Sequence, residues 1–266
     1  MMEVYAGFLE QTDYHIGRII RFLKEAGEFE NTLIMVISDN GASAEGGPTG
    51  TINENQFFNN VPGLMGEVLE NLDKLGGPET FSHYAWGWAW AGDTPFRRWK
   101  RETYRGGVSD PFIVHWPRGI KAKGEIRNQY AHAIDMVPTV LDCLGIEAPL
   151  SIKGITQSAI EGVSFAHTFD NVDAPTKHHT QYFEMIGNRA LYHNGWRAVC
   201  PWPGPSFAEA EHVFGSPITA DMLVELDAKG WELYHLEKDW TETENVAEEA
   251  QVNRDDHHLV YRSRKI

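Results

Sequence analysis

An α/β fold is predicted for this chain by three observations. Leu33-Ile34-Met35-Val36-Ile37 and Phe112-Ile113-Val114-His115-Trp116 are short apolar runs closed by turn formers or proline, the pattern of strands covered on both faces, as in a parallel sheet. Residues 3–26 place Val4, Phe8, Ile16, Ile19, Ile20 and Leu23 at helical spacing, a stripe that reads as a core-facing surface. After about residue 180 the texture changes to short β-like runs, at 181–185, 189–193, 196–199 and 231–236, which predict a small antiparallel sheet.

The remaining elements follow in order. The first helix ends near Gly27 and feeds the strand at 32–37, after which Ala42–Gly63 is a polar stretch rich in Gly, Asn and Pro. Leu64, Val68, Leu69, Leu72 and Leu75 mark a short amphipathic helix closed by Gly76-Gly77-Pro78. A loop with Trp86, Trp88 and Trp90 comes next, and its tryptophans either pack a core or line an aromatic pocket. Ile134–Leu144 reads as a helix with Pro138 in its first turns and Gly145 at its end. The domain organisation expected is 1–175 as a larger α/β part, 176–250 as a small antiparallel part and 251–266 as a charged tail.

Composition narrows the function classes. The chain has 266 residues and a formal net charge of −15, which argues against nonspecific nucleic-acid binding. No stretch approaches the roughly 18 apolar residues of a membrane span. The N-terminus lacks the pattern of a signal peptide. Cys143 and Cys200 make neither a disulfide framework nor a metal-ligand spacing. Two cysteines do not decide the compartment, so cytoplasmic and periplasmic settings both stay open.

Two features carry chemistry. The first apolar run ends in Ser38-Asp39-Asn40-Gly41, a carboxylate beside a carboxamide at the carboxyl end of a strand, where ligands gather in α/β sheets. Such oxygen donors suit Ca²⁺, or less well Mg²⁺. Asn-Gly is equally a hairpin turn signal, although no alternating partner strand follows within a few residues. The second feature is Asp93 to Gly107, where five of the 23 Lys and Arg residues fall between Arg97 and Arg105. Concentrated positive charge in an acidic chain suits a sulfate or phosphate ester, or is a solvated basic face.

In this order, Ser-Asp-Asn-Gly, Thr94-Pro95-Phe96-Arg97-x-x-Lys100 and Gly106-Gly107-Val108-x-x-Pro111-Phe112-Ile113-x-x-Trp116-Pro117 closely resemble the type I, formylglycine-dependent sulfatases. These are arylsulfatases of the alkaline-phosphatase superfamily. The resemblance continues through His132 to Asp142 and ends at Trp231 to Leu236 with Glu244-Asn245-Val246. It implies part of an alkaline-phosphatase-like mixed sheet flanked by helices, followed by a small C-terminal antiparallel sheet.

The resemblance also implies roles. Asp39 and Asn40 match two ligands of a single Ca²⁺ that polarises the sulfate. Asp39 is also a candidate base toward the formylglycine hydrate. Lys100 matches the lysine that binds sulfate and steadies charge on the leaving oxygen. Arg97 holds the motif's arginine position, for loop structure or entrance charge. His132 borders the substrate cleft in relatives and either contacts substrate or caps its helix, and His115 is structural. Arg105 departs from the family, where an acidic residue commonly precedes the Gly-Gly pair.

The larger departure concerns the nucleophile. The family makes formylglycine from Cys/Ser-x-Pro/Ala-x-Arg, and no such motif occurs in these 266 residues. The paired aspartates and the first-half lysine and histidines of the family are likewise unmatched. The chain is therefore expected to be the C-terminal half of an arylsulfatase, inactive alone and acting on a small sulfate ester. A separate chain carrying the missing half is a candidate partner, and exposed apolar surface should make the fragment associate. A non-catalytic remnant or a phosphodiesterase or phosphonate hydrolase relative are the alternatives.

Overall fold

The structure, a computed structural model, describes residues 1–202 and 219–248. In chain order its principal elements are α1 (Met2–Glu25), β1 (Ile34–Ile37), α2 (Asn55–Phe58), α3 (Met65–Glu70), α4 (Trp86–Asp93), α5 (Arg105–Val108), β2 (Phe112–His115), α6 (Met136–Leu144), β3 (Ser151–Ile152), β4 (Ile155–Thr156), β5 (Thr180–Met185), β6 (Asn188–His193), β7 (Trp196–Cys200), α7 (Ala220–Lys229) and β8 (Glu232–His235). Two compact units result, residues 1–39 with 110–181, and residues 40–109 with 182 onward. The charged tail 251–266 lies outside the described residues.

In the first unit α1 forms where the apolar spacing predicts it. Its end is a Schellman turn: Gly27, at φ 73°, donates to Lys24, and Glu28 donates to Leu23. Yet no residue of α1 is buried, and Phe8, Ile19 and Phe22 are exposed, so the stripe faces no core among the described residues. The two apolar runs do become β1 and β2, but they pair antiparallel with each other, Ile34 with His115 through Ile37 with Phe112. Among the described residues this ladder has two strands, so neither run is covered on both faces; Val36, Ile37 and Ile113 are exposed. Antiparallel pairing tolerates one wet face, which the expected parallel sheet would not.

Asp135 and Thr139, 1% and 0% exposed, mark a well-packed point of this unit. The Asp135 carboxylate accepts from the backbone N–H of His132 at 2.8 Å, from that of Val163 at 2.7 Å and from His178 Nδ1 at 2.8 Å. Thr139 Oγ1 donates to the Asp135 carbonyl and accepts from Phe165 N–H, tying α6 to the segment after it. Gly145, in the left-handed region, ends α6.

The second unit contains the antiparallel sheet, ordered β5-β6-β7-β8, with α7 before its last strand. Tyr104, Ala190, Val199 and Tyr234 form its apolar centre, with Phe183 packed against it. Arg197 and Glu242 form a buried ion pair within it, 3% and 0% exposed. Where the sequence reads as an aromatic loop, the structure has helix α4 instead. Trp86 and Trp90 are one helical turn apart and both meet the buried Trp99, with ring centroids 6.0 and 5.6 Å away. That contact supplies the reason: a helix sets positions i and i+4 on one face, which alternation in a loop does not. Cys200 is buried and Cys143 half-buried, both free.

Candidate functional site

Three stretches of the second unit meet through their backbones. Gly41 N–H donates to the Gly107 carbonyl at 3.3 Å, Lys100 N–H to Ala42 at 3.0 Å, and Gly106 N–H to Arg97 at 2.9 Å. A Cβ at Gly41 would stand 1.6 Å from the Gly106 oxygen, and one at Gly106 would stand 2.2 Å from the Arg98 oxygen. Backbones this close admit only glycine, so the Asn40-Gly41 turn and the Gly106-Gly107 pair exist to let the stretches touch. Ala42 N–H also donates to Asp93 Oδ1 at 2.9 Å, which fixes the end of α4 to the same place.

The Lys100 segment is held from the other side by the sheet. Asn188 Nδ2 donates to the Arg101 carbonyl at 3.1 Å, Arg197 Nη2 donates to the Thr103 carbonyl, and Glu242 Oε2 accepts from Arg105 N–H at 2.7 Å. Burial holds the Glu242 carboxyl above its usual range, opposed by Arg197. Arg98 and Arg101 adopt positive φ, 64° and 79°, conformations that persist only when surroundings impose them.

Each candidate residue has a definite place. Lys100 Nζ lies 3.2 Å from Glu45 Oε2, and the lysine side chain is 33% exposed. Arg97 Nη1 donates to Tyr234 Oη at 2.6 Å and to the Glu242 carbonyl at 3.1 Å, and its guanidinium lies 4.5 Å from the Tyr104 ring centre. Arg97 is thus built into the packing between sheet and loop. Burial, then the hydrogen bond to Glu232, pushes the phenol of Tyr104 far up. His132 sits in the first unit at the start of the 3₁₀ turn Ala133–Asp135, where Nδ1 accepts from Ile134 N–H at 3.4 Å. Burial, then His178, holds the His132 ring below its ordinary value. His115 packs against Phe29.

Asp39 ends the first stretch of the first unit, and Asn40 begins the second unit. Asn40 Nδ2 donates to the Gly41 carbonyl at 3.0 Å. Among the described residues no group of three or more His, Cys, Asp or Glu could hold a metal ion. Asp39 and Asn40 therefore have the oxygen chemistry of calcium ligands but amount to part of the 6 to 8 oxygens calcium takes.

Sequence reasoning does not find Asp110. It and Asp39 each lie two residues beyond the last ladder pair, Ile37 with Phe112. Burial, with the Asp39 charge as a second cause, pushes the Asp110 carboxyl up to about 6. The signal exists only once the two apolar runs are known to pair antiparallel. Ser43 and Glu45, in the polar stretch, and His83, beyond it, likewise stand out by nothing in the sequence.

The comparisons with known proteins agree with one another. Residues 1–146 match the family described as Sulfatase. An uncharacterized sulfatase of Schizosaccharomyces pombe is 29% identical over 254 residues, covering 92% of this chain and 40% of its own length. An arylsulfatase of Klebsiella aerogenes is 26% identical over 188 residues, covering 70% of this chain and 38% of its own. This chain thus spans about two fifths of the length of these two curated relatives. A solved protein from a glycosaminoglycan-metabolism locus of Bacteroides thetaiotaomicron, 21% identical, superposes with a TM-score of 0.56 over 92% of this chain and 41% of that one. The shared fold is alkaline-phosphatase-like, with the small antiparallel sheet toward the C-terminus.

Proposed function

This chain belongs to the sulfatase family, and from that premise we propose that it supplies part of the site that hydrolyses small sulfate esters of the aryl type. The observation that carries the reading is the junction of the Asn40–Ala42, Lys100 and Gly106-Gly107 stretches, all inside the family match. Lys100 is the sulfate ligand, and its partly exposed ammonium can meet an oxyanion. Asp39 and Asn40 contribute oxygens to a Ca²⁺ that, when bound, polarises the sulfate oxygens. Asp39 is the candidate base. His132 is carried over as a secondary substrate contact from the family resemblance, and Arg97 keeps the Lys100 segment in shape.

No formylglycine motif occurs in the 266 residues, so the nucleophile has to come from another polypeptide segment. The exposed faces of α1, β1 and β2 suit such a partner, since they present Phe8, Ile19, Val36, Ile37 and Ile113. The test is turnover of 4-nitrophenyl sulfate by the purified chain alone and after co-expression with a segment carrying Cys-x-Pro-x-Arg. The chain alone is expected to be inactive, and the pair to be active and to lose activity in Lys100→Ala. Turnover by the chain alone, abolished by Lys100→Ala, would sink the shared-site reading.

A further inference from the structure

Behind Lys100 the second unit holds a line of polar groups that the roles above leave unused. Ser43 Oγ donates to Glu45 Oε2 at 2.9 Å, the same oxygen that Lys100 Nζ reaches at 3.2 Å. His83 Nε2 lies 2.9 Å from Ser43 Oγ, and His83 Nδ1 lies 3.1 Å from the Tyr84 carbonyl. Both ring nitrogens of His83 are thus engaged, Nε2 at the Ser43 hydroxyl and Nδ1 at the carbonyl. The line of contacts is thus His83, Ser43, Glu45, Lys100.

Burial separates Glu45 from Lys100. Glu45 is 7% exposed, whereas a third of the Lys100 side chain meets solvent. A carboxylate so buried is stable only when it is both paired and hydrogen-bonded. An ammonium has three donors, and Glu45 engages one, which leaves the exposed part of the group to meet an anion. A long, flexible lysine tied at one donor is restricted in its rotamers before a ligand arrives.

We propose that Glu45, Ser43 and His83 are positioning residues that hold the Lys100 ammonium in one orientation toward a sulfate oxyanion. The proposal rests on the reading of Lys100 as the sulfate ligand. Glu45 is itself negative, so sulfate affinity would mix positioning with repulsion; the motion of the ammonium separates the two.

The experiment is nitrogen-15 NMR of the Lys100 ammonium in the full 266-residue chain, the signal identified by its loss in Lys100→Arg. Proton exchange from the ammonium should quicken about tenfold in Ser43→Ala and in His83→Phe, as expected for loosening a charge-assisted hydrogen bond. In Ser43→Thr, which restores the hydroxyl, it should stay within about twofold of the parent. The His83 backbone pairs with Thr51, so Ser43→Ala decides the matter if His83→Phe does not fold. An unchanged rate in Ser43→Ala, or equal quickening in Ser43→Ala and Ser43→Thr, overturns the proposal. Inorganic sulfate is then titrated in: a Lys100 signal that sulfate does not move removes the sulfate-ligand reading, while the exchange rates still decide the positioning.

Discussion

The two stretches that carry the candidate residues are supported in opposite ways. The Lys100 stretch is fastened by side chains from the sheet, by the Arg197–Glu242 pair and by backbone contacts that only glycine permits. The strand end at Asp39 stands on a two-stranded ladder with apolar side chains in the open, and helix α1 of the same unit has no buried residue. A group that must meet an anion at a fixed distance needs its rotamer and backbone held, and a buried polar network does that without needing a large core. An apolar ladder and helix stripe hold their shape only when something covers them. The difference predicts where substitutions will matter.

The largest effect is expected at Glu242. Glu242→Ala leaves Arg197 buried without its partner and should cost roughly 3–5 kcal/mol in chemical denaturation followed by tryptophan fluorescence. A cost below about 1 kcal/mol would mean that the network does not fasten the Lys100 stretch. Gly41→Ala comes next, because its methyl would meet the Gly106 oxygen. A loss of about 2–3 kcal/mol is expected there, against a gain of about 0.5–1 kcal/mol for Gly17→Ala inside α1, where the added carbon meets nothing within 4 Å.

A smaller effect with a definite sign belongs to Asp110, whose carboxyl is raised to about 6 in the fold from an ordinary value of 3.8. The folded state therefore binds the proton more tightly than the unfolded chain. The stability that proton contributes is complete below about pH 4 and is lost as pH rises through 6. Asp110→Asn should flatten that slope between pH 4 and 6.5 and raise the pH 7 melting temperature, by no more than about 1 kcal/mol equivalent, because the group is only half-buried. A slope identical to the parent's would show that Asp110 does not titrate in that window.

The smallest effects are expected on α1. Ile19→Ala and Phe8→Ala, at positions 61% and 69% exposed, should shift stability by less than about 0.5 kcal/mol. The double variant Phe8→Lys/Ile19→Lys should instead reduce concentration-dependent association in sedimentation. A cost of several kcal/mol from Ile19→Ala would mean that the helix face is already covered.

Much of the architecture is legible in the residues, and the reasons are local. The Gly27 and Gly145 stops, the apolar runs at 34–37 and 112–115 and the β-rich texture after 180 follow from backbone sterics and short-range periodicity. Helix α4 is not legible, because its three tryptophans alternate and the selection of the i, i+4 pair comes from Trp99, nine residues after Trp90. Helix α7 also escapes the sequence reading, although Thr219 caps it by accepting from Met222 N–H.

The sequence by itself determined the family, the Asp39-Asn40 and Lys100 candidates and the glycines that accompany them, since each is a short ordered pattern of residue types. Only the tertiary structure decided that β1 and β2 run antiparallel, that Arg97 is locked beneath Tyr104 and Tyr234, and that Glu45, Ser43 and His83 line up behind Lys100. Strand direction, ion pairing and hydrogen-bond order join residues far apart in the chain, 55 positions for Lys100 with Glu45 and 137 for Arg97 with Tyr234. No local propensity encodes such contacts; they follow from how the whole chain buries its apolar surface and satisfies the polar groups buried with it.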